Sequence, residues 1–572
     1  MILAGVFDID PTFYDVFIGV LRWLMPVLAA LLLFRCIQPL LTFRREPEIW
    51  AWLRLPGNKK LPITHWENVI GRSKRSDIVI DFPTVSRNHA VLTRYDDGSW
   101  SVADAVSKDG VFVNGKRVRI HALEPEDVIS IGGVDMTLQP ISARQEQRLA
   151  ELRTKASSLL SSLLNVMLLS AIQFLCAVAF LLGGSPETAQ SVLFGFGGLM
   201  ICQWGLLLFY VCIRRTSFEV ETIAFFLSTL GMCVIATVTP GESLKQLIAV
   251  LLGLFAFFGV GWSLRDLERA KLVRKIAAVA GVLLLMITLV FGESYQGAKN
   301  WLFIGPMSIQ PAEISKLCFV FVGASAMNKI VTKRNLVTFI AYSVLVCGCL
   351  ALMNDFGGAL IFFCAFLIIA YLRSGSVGTL ALAITALGIA GMMVIRIAPH
   401  ALQRFASWRH IWEDPSGTGW QQTRALMCMA AGGWLGLGPG MGQMKYYPAA
   451  ASDMVVATLS EEWGLIMFVL AVLSIIALAV FCVRSAAIGR SSFYTIGACT
   501  ASCIMLVQTI LNALGTVDVV PLTGVTFPFL SNGGSGMICA WGLLAFIKAA
   551  DTRQNASFAV RLAKNGGEDI DE

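Results

Sequence analysis

The chain has 572 residues, of which 56% are hydrophobic and only 15% charged, with mean hydropathy +0.69 and a formal net charge of +7. An ordinary soluble domain carries roughly a quarter charged residues, so a purely soluble enzyme is excluded. The modest positive charge fits basic loops beside a membrane better than a nucleic-acid surface, and no nucleic-acid partner is expected.

Residues 1–43 hold an apolar stretch, 16–34, that is broken by Arg22 and followed by no small-residue cleavage site, which predicts a retained membrane anchor. From 44 to 153 charges appear every few residues, and short apolar stretches alternate with turn residues, the pattern of a small all-β sandwich. Beyond Lys155 the runs 157–182, 188–212, 222–240, 246–264, 276–292, 313–330, 336–353, 356–372, 374–395, 457–483, 491–514 and 522–547 are long enough for a hydrocarbon core that takes roughly 20 helical residues to cross. The first two form an additional pair (154–216), and the rest form a bundle over 217–549. The 14 cysteines lie mostly inside these runs without metal-ligand spacing and read as small core residues. The expected fold is therefore a polytopic α-helical membrane protein of roughly 12 to 13 spans with an inserted all-β sandwich.

Loop charge orients the bundle. The segment RDLERAKLVRK (265–275) carries five basic residues, and 213–215, 329–334, Arg373, 484–490 and the tail 550–572 are also basic, so these belong on the cytoplasmic side of a bacterial membrane together with the sandwich. Alternation places 293–312, 354–355, 396–456 and 515–521 outside, and the roughly 60-residue segment 396–456 is too long to be a mere connector. The charged connection 143–156 is expected to be helical.

Within the sandwich, IGRSKRSDIVIDFPTVSRNHAVL and SKDGVFVNGKRV combine Gly71-Arg72, Ser86-Arg87 with His89, and Asn114-Gly115. This resembles a forkhead-associated (FHA) domain. The resemblance implies a threonine-phosphorylated protein as partner, read by Arg72, Ser86 and Arg87, with His89 supporting the loop. Asp109-Gly110-Val111 stands where the family has Asn-Gly-Thr; Asp109 brings a negative charge near the expected phosphate, and Lys108 offsets it. A docking module that no longer reads phosphate is the alternative.

Four stretches recur in order through the bundle: GAKNWLFIGPMSIQPAEISK (297–316), NDFGGAL (354–360), GLGPGMGQMKYYPAAASDMVVATLSEEWG (436–464) and PLTGVTFPFLSNGGSGMI (521–538). Together they resemble the SEDS family (shape, elongation, division and sporulation), which includes RodA and FtsW. The resemblance implies a peptidoglycan glycosyltransferase that polymerises lipid II, an undecaprenyl-pyrophosphate-linked disaccharide-pentapeptide, on the outer face during division or elongation. It also implies a class B penicillin-binding protein transpeptidase as partner, because this chain has no Ser-x-x-Lys unit within a transpeptidase constellation.

The family's catalytic acid falls on Asp453. Read from residues alone, Asp453 could be a base held near the membrane surface or a cap for the helix that follows. A departing lipid pyrophosphate requires cations, supplied by Arg404, Arg409, Arg424 and Lys445 or by a divalent ion such as Mg or Mn. Further cavity candidates are Trp301, the pair Glu313 and Lys316, and Asp355, with Gly358 replacing the family's threonine. Glu461 and Glu462 are candidates too, one facing the cavity and the other a neighbouring helix, as are Ser531, Asn532 and Gly534 in a Pro- and Gly-rich turn that tolerates membrane depth only against protein or a cavity. Lys299-Asn300 replaces the family's Arg, and Ala449 and Ala451 replace its Glu and His. A lipid-linked precursor flippase and a non-catalytic cell-division scaffold are the competing functions.

Overall fold

The computed structural model describes residues 11–42, 49–142 (save 75, 96 and 97), 144–145, 157–184, 186–265, 267–295, 297–304, 307–326, 333–374, 377–397, 399–486, 491–553 and 556. Most of the connection 143–156, parts of the basic loops, and nearly all of the tail lie outside the described residues.

The first helix, α1 (Pro11–Leu41), extends well beyond the predicted apolar core of the anchor. An all-β unit follows. One sheet has six strands in the order β2-β1-β11-β10-β7-β8 and the other five in the order β4-β3-β5-β6-β9, where β1 is Ala51–Arg54, β2 Lys60–Ile63, β3 Glu67–Gly71, β4 Ile78–Val79, β5 Ala90–Arg94, β6 Trp100–Asp104, β7 Val111–Val113, β8 Lys116–Val118, β9 Ile120–Leu123, β10 Val128–Ile131 and β11 Val134–Pro140. Alternate residues of both sheets, among them Ile70, Leu92, Val102, Val111, Ile129 and Met136, make one buried core between them.

The helical part begins with α2 (Leu159–Gly183), α3 (Pro186–Cys212), α4 (Glu219–Val238), α5 (Ser243–Leu264) and α6 (Leu267–Phe291). After a three-stranded sheet of β12 (Glu293–Tyr295), β13 (Ala298–Ile304) and β14 (Met307–Ile309) come α7 (Pro311–Ala326), α8 (Lys333–Leu352), α9 (Phe356–Ser374) and α10 (Val377–Ile397). The long loop carries α11 (Pro399–Ser407) and α12 (Trp420–Gly432), and α13 (Val455–Ala486), α14 (Ser492–Thr516) and α15 (Gly534–Ala549) complete the chain. Among the described residues eight helices are long and apolar enough to cross a membrane, and four shorter apolar helices stand where further spans were expected, so the chain is a multi-pass membrane protein.

Helix α4 is buried nearly throughout, which places it at the centre of the bundle. The additional pair is fastened to it by a polar chain: Gln173 of α2 donates to Gln203 of α3 (3.2 Å) and to Thr229 of α4 (3.0 Å), and Gln203 donates to Ser170 (2.7 Å). Such contacts hold helices together where lipid supplies no hydrophobic drive.

One expectation is corrected, and one loop segment proves to be structured. The last span does not begin at 522: Pro521, Gly524 and Pro528 keep 521–533 irregular, and only Gly534–Ala549 is helical. The segment 293–312 holds a small sheet, with Lys299 N–H bonded to Met353 O (2.8 Å) and the Lys299 ammonium capping the end of α6 at Leu289 O (2.8 Å).

Candidate active site and phosphopeptide face

Asp453 sits on the turn before α13. Ala449 opens that turn at φ +58°, and its N–H partners are internal: Ser452 and Met454 both donate to Ala449 O. The irregular segment 521–533 clamps the turn from one side, where the Ser531 hydroxyl donates to Ser452 O (2.7 Å) and Asn532 N–H to Ala451 O (2.7 Å). Helix α14 clamps it from the other, with the Asn512 amide donating to Asp453 O (3.0 Å) and Val525 O (2.7 Å). Thr458 of α13 donates to Ala450 O (2.7 Å). The backbone around Asp453 is thus fixed from three elements.

Its half-buried carboxylate takes no hydrogen bond from the first amides of α13 among the described residues, and a Cβ on Gly524 would come within 3.5 Å of its Oδ2. Burial pushes the Asp453 carboxyl above the ordinary aspartate value, while the Arg404 guanidinium and the Ser452 hydroxyl pull it back. Arg404 also donates to Thr523 O (3.3 Å), which joins α11 to the clamp.

The other loop cations are engaged elsewhere. The Arg409 guanidinium lies over the Trp408 ring at 5.2 Å, and its backbone N–H is held by the Asp518 carboxylate. Lys445 donates to Gly440 O (2.6 Å), and Arg424 reaches Met427 Sδ (3.4 Å).

Glu461 and Glu462 are both buried, Glu462 lines a small cavity against α1, and both carboxylates accept hydrogen bonds. Glu461 accepts the N–H groups of Gln443 and Met444 (2.8 Å each), and Glu462 accepts Gly442 N–H (3.2 Å) and the Thr237 hydroxyl (2.6 Å). Their own carbonyls accept Leu437 and Gly438 N–H. The glycine-rich loop therefore hangs on these two residues. Gly464 (φ 88°, ψ 162°) breaks α13 just after them, and the next amides, Leu465 and Ile466, turn to the loop carbonyls of Gly433 and Trp434.

Glu313 and Lys316 form a buried pair at 2.6 Å. Asp355 accepts Gly358 N–H (2.8 Å) at the start of α9. Trp301 is half-buried on β13, and Gly534 is exposed at the start of α15. Asn532 also donates to Glu242 (3.4 Å), so the rim includes a residue from before α5 that no sequence motif marked. Asn512 was missed as well; its signal is an amide inside an otherwise apolar span. Among the described residues no three His, Cys, Asp or Glu side chains converge to hold a metal ion. Asp453 brings only one carboxylate, beside a guanidinium, so the residues present do not compose a divalent-cation site.

At the far end of α4 lies a second cluster that sequence reasoning did not find. Lys548 donates to Glu221 (3.1 Å) and Ser217 O (3.0 Å), Tyr210 donates to Glu221 (2.6 Å), and Arg553 donates to Asp551 (2.7 Å), Ser217 Oγ (2.9 Å) and Glu219 (3.4 Å), all buried.

In the sandwich, Arg72, Arg87, Lys108 and Asp109 are exposed and Ser86 is half-buried, all on loops at one edge. Arg72 N–H donates to Ser86 O (3.0 Å), and Lys108 N–H donates to Ser86 Oγ (3.1 Å), which brings three loops together. His89 is fully buried beneath them. Its Nδ1 accepts Ser86 N–H (3.0 Å), so the ring proton is on Nε2 and is donated to Gly110 O (3.0 Å). Asn114 receives Val128 N–H (3.0 Å) and donates to Asp127 (2.7 Å), whose carboxyl is held below the usual range by Glu124 N–H and by that amide.

These features define a helical membrane protein with a deep polar site at one end and a loop-presenting β-sandwich joined to it. Residues 225–556 match the FtsW/RodA/SpoVE family, described as cell cycle protein, and residues 68–132 match the FHA domain. The chain belongs to the FtsW/RodA/SpoVE family and carries an FHA domain. It is 28% identical over 322 residues to the peptidoglycan glycosyltransferase RodA of Mycobacterium tuberculosis, covering 53% of this chain and 69% of that one. It is 32% identical over 323 residues to a probable peptidoglycan glycosyltransferase FtsW of Nitrosococcus halophilus, covering 54% and 82%. A chain from a peptidoglycan synthase complex, solved in work on coordination of polymerisation and crosslinking, shares the fold at TM-score 0.50 and 22% identity, covering 58% of this chain and 96% of its own.

Proposed function

We propose that this chain is a peptidoglycan glycosyltransferase that polymerises lipid II at the outer face of the cytoplasmic membrane, under the control of a cytoplasmic FHA domain that binds a threonine-phosphorylated protein. The observation that carries the assignment of the site is Asp453: a half-buried carboxylate on a turn clamped from three elements, opposed by one guanidinium and not used as a helix cap. In glycosyl transfer the acceptor hydroxyl oxygen attacks the donor's anomeric carbon, the bond from that carbon to the pyrophosphate oxygen breaks, and the lipid pyrophosphate leaves with the electron pair. Asp453 takes the hydroxyl proton, a role suited to a carboxyl raised by burial. Arg404 lies beside it and attracts the departing phosphate charge. Negative charge on the leaving group is met by this guanidinium.

The distribution of basic loops supports placing the sandwich inside and the Asp453 loop outside. A transpeptidase of the class B penicillin-binding type is the partner that would crosslink the strands this chain makes. Purified protein in liposomes given labelled lipid II makes long glycan strands, and Asp453→Ala does not. An unchanged rate in that variant would remove Asp453 from the reaction, and transport of lipid II without polymerisation would favour a flippase.

A further inference from the structure

Helix α1 lies outside the family-matched residues 225–556, yet it packs against α13 and reaches the loop that precedes Asp453. Its buried positions Tyr14, Ile18, Leu21 and Met25 form one stripe. A Cβ on Gly438 would come to 2.7 Å from Ile18 Cγ2, so the helix touches the glycine-rich loop closely. Tyr14 lies within electrostatic reach of Glu462. One helical turn beyond Ile18, Arg22 and Met25 line a small cavity whose opposite wall is Leu435, Pro439, Glu462 and Trp463. The Arg22 Nε and the Trp463 indole N–H are buried there without a hydrogen-bond partner.

Arg22 as a whole is half-buried, but a guanidinium nitrogen held out of water in an apolar bundle is costly unless a counter-charge lies near it. The carboxylate across the cavity is Glu462, from which the loop hangs by Gly442 N–H. Accepting that N–H is strongest for an ionised carboxylate, and a facing guanidinium favours the ionised form. Lys445 lies within electrostatic reach of Glu462, but its ammonium is bonded to Gly440 O within the loop itself and moves with it. Arg22 is anchored in a separate helix and supplies a fixed reference.

We propose that Arg22 is a positioning residue for polymerisation, holding Glu462, and through it the glycine-rich loop before Asp453, from a helix outside the family core. This rests on the glycosyltransferase reading for its kinetic arm alone. The test uses the full-length protein in liposomes with Arg22→Met, Arg22→Gln and Arg22→Lys, read by hydrogen exchange of the amides of 437–444 and by lipid II kinetics. The expected result is exchange about tenfold faster in the Met and Gln variants, the loss of roughly one hydrogen bond to a charged acceptor. kcat falls by a similar factor, KM stays within about twofold, and Arg22→Lys keeps most of both. Exchange that matches wild type in Arg22→Met or Arg22→Gln overturns the proposal, as does a Lys variant as impaired as the Met variant. Failure of wild type to polymerise would defeat the glycosyltransferase reading while the exchange arm still judges this one.

Discussion

Asp453 carries two opposing influences, burial that raises its carboxyl and Arg404 that lowers it. A base must be ionised to take a proton, so the rate falls as pH drops through the Asp453 pKa, and the acid limb lies above the ordinary aspartate range. Removing the cation favours the neutral acid further. Arg404→Gln is therefore expected to move the acid limb of the lipid II pH–rate profile to higher pH, and a limb that stays in place or moves down would detach Arg404 from Asp453. Asp453→Asn loses general-base catalysis, roughly 10²- to 10⁴-fold. At this scale the sequence was informative about identity and silent about neighbours. The order of motifs singled out Asp453, but a residue-only reading left base and cap open; the turn's clamps and the absence of a bond to the α13 amides among the described residues favour the base. Glu462 lines a small cavity against α1 while Glu461 binds backbone amides, a difference that two adjacent carboxylates at the start of a span do not show in sequence.

The glycine-rich loop is an element with no hydrogen-bond ladder of its own, and its order comes from two carboxylates and the broken helix beside it. Glu461→Gln replaces a charged acceptor by a neutral one and turns an N–H donor toward the loop amides. It is expected to destabilise the loop by about 1–3 kcal/mol, seen as faster exchange at Gln443 and Met444 with the fold of the sandwich unchanged. Gly436 is more demanding: its φ is +80°, and a Cβ would lie 2.1 Å from Glu462 O. Gly436→Ala should therefore displace the loop and lower polymerisation even though it removes no polar group.

The length of the apolar runs announced nearly every span, because a helix that satisfies its own backbone bonds must be long enough to cross the lipid. It failed at 521–533, where prolines and glycines interrupt an apolar run and the polar backbone is satisfied by the Asp453 turn instead. It also passed over the cluster of Glu219, Glu221, Lys548, Asp551 and Arg553, whose charges sit at span ends and read as ordinary flanks until tertiary packing pairs them. Lys548→Met leaves Glu221 buried and uncompensated, with an expected loss of about 3–5 kcal/mol. Lys548→Met with Glu221→Gln should recover part of it, and thermal unfolding in detergent distinguishes the two.

The sandwich enters the chain between α1 and α2, two helices that pack on each other and on α4. The Ser492 hydroxyl at the start of α14 donates to Glu67 of β3 and joins the sandwich to the bundle, while Arg484 donates to Leu41 O and Arg553 reaches Pro39 O, which fasten the end of α1. The sandwich edge that presents Arg72, Ser86 and Arg87 and the Asp453 turn share no residue, so ligand binding and catalysis should separate cleanly. In Arg72→Ala one guanidinium is lost from the phosphate, and charge-assisted bonds of about 1.5–3 kcal/mol predict roughly 10- to 100-fold weaker binding of phosphothreonine peptides by the full chain. Lipid II turnover without peptide should be unaltered. Replacing 51–140 with a flexible linker tests the division more severely, because α1 and α2 remain packed against the bundle through Tyr14, the Gln173 chain and the Ile18 contact with Gly438. The intrinsic rate in liposomes should stay within about twofold, since the elements that hold Asp453 are all retained, while the protein loses its placement in cells. A large fall in intrinsic rate would mean that the sandwich activates the polymerase directly, through the base of α1, and does not serve recruitment alone.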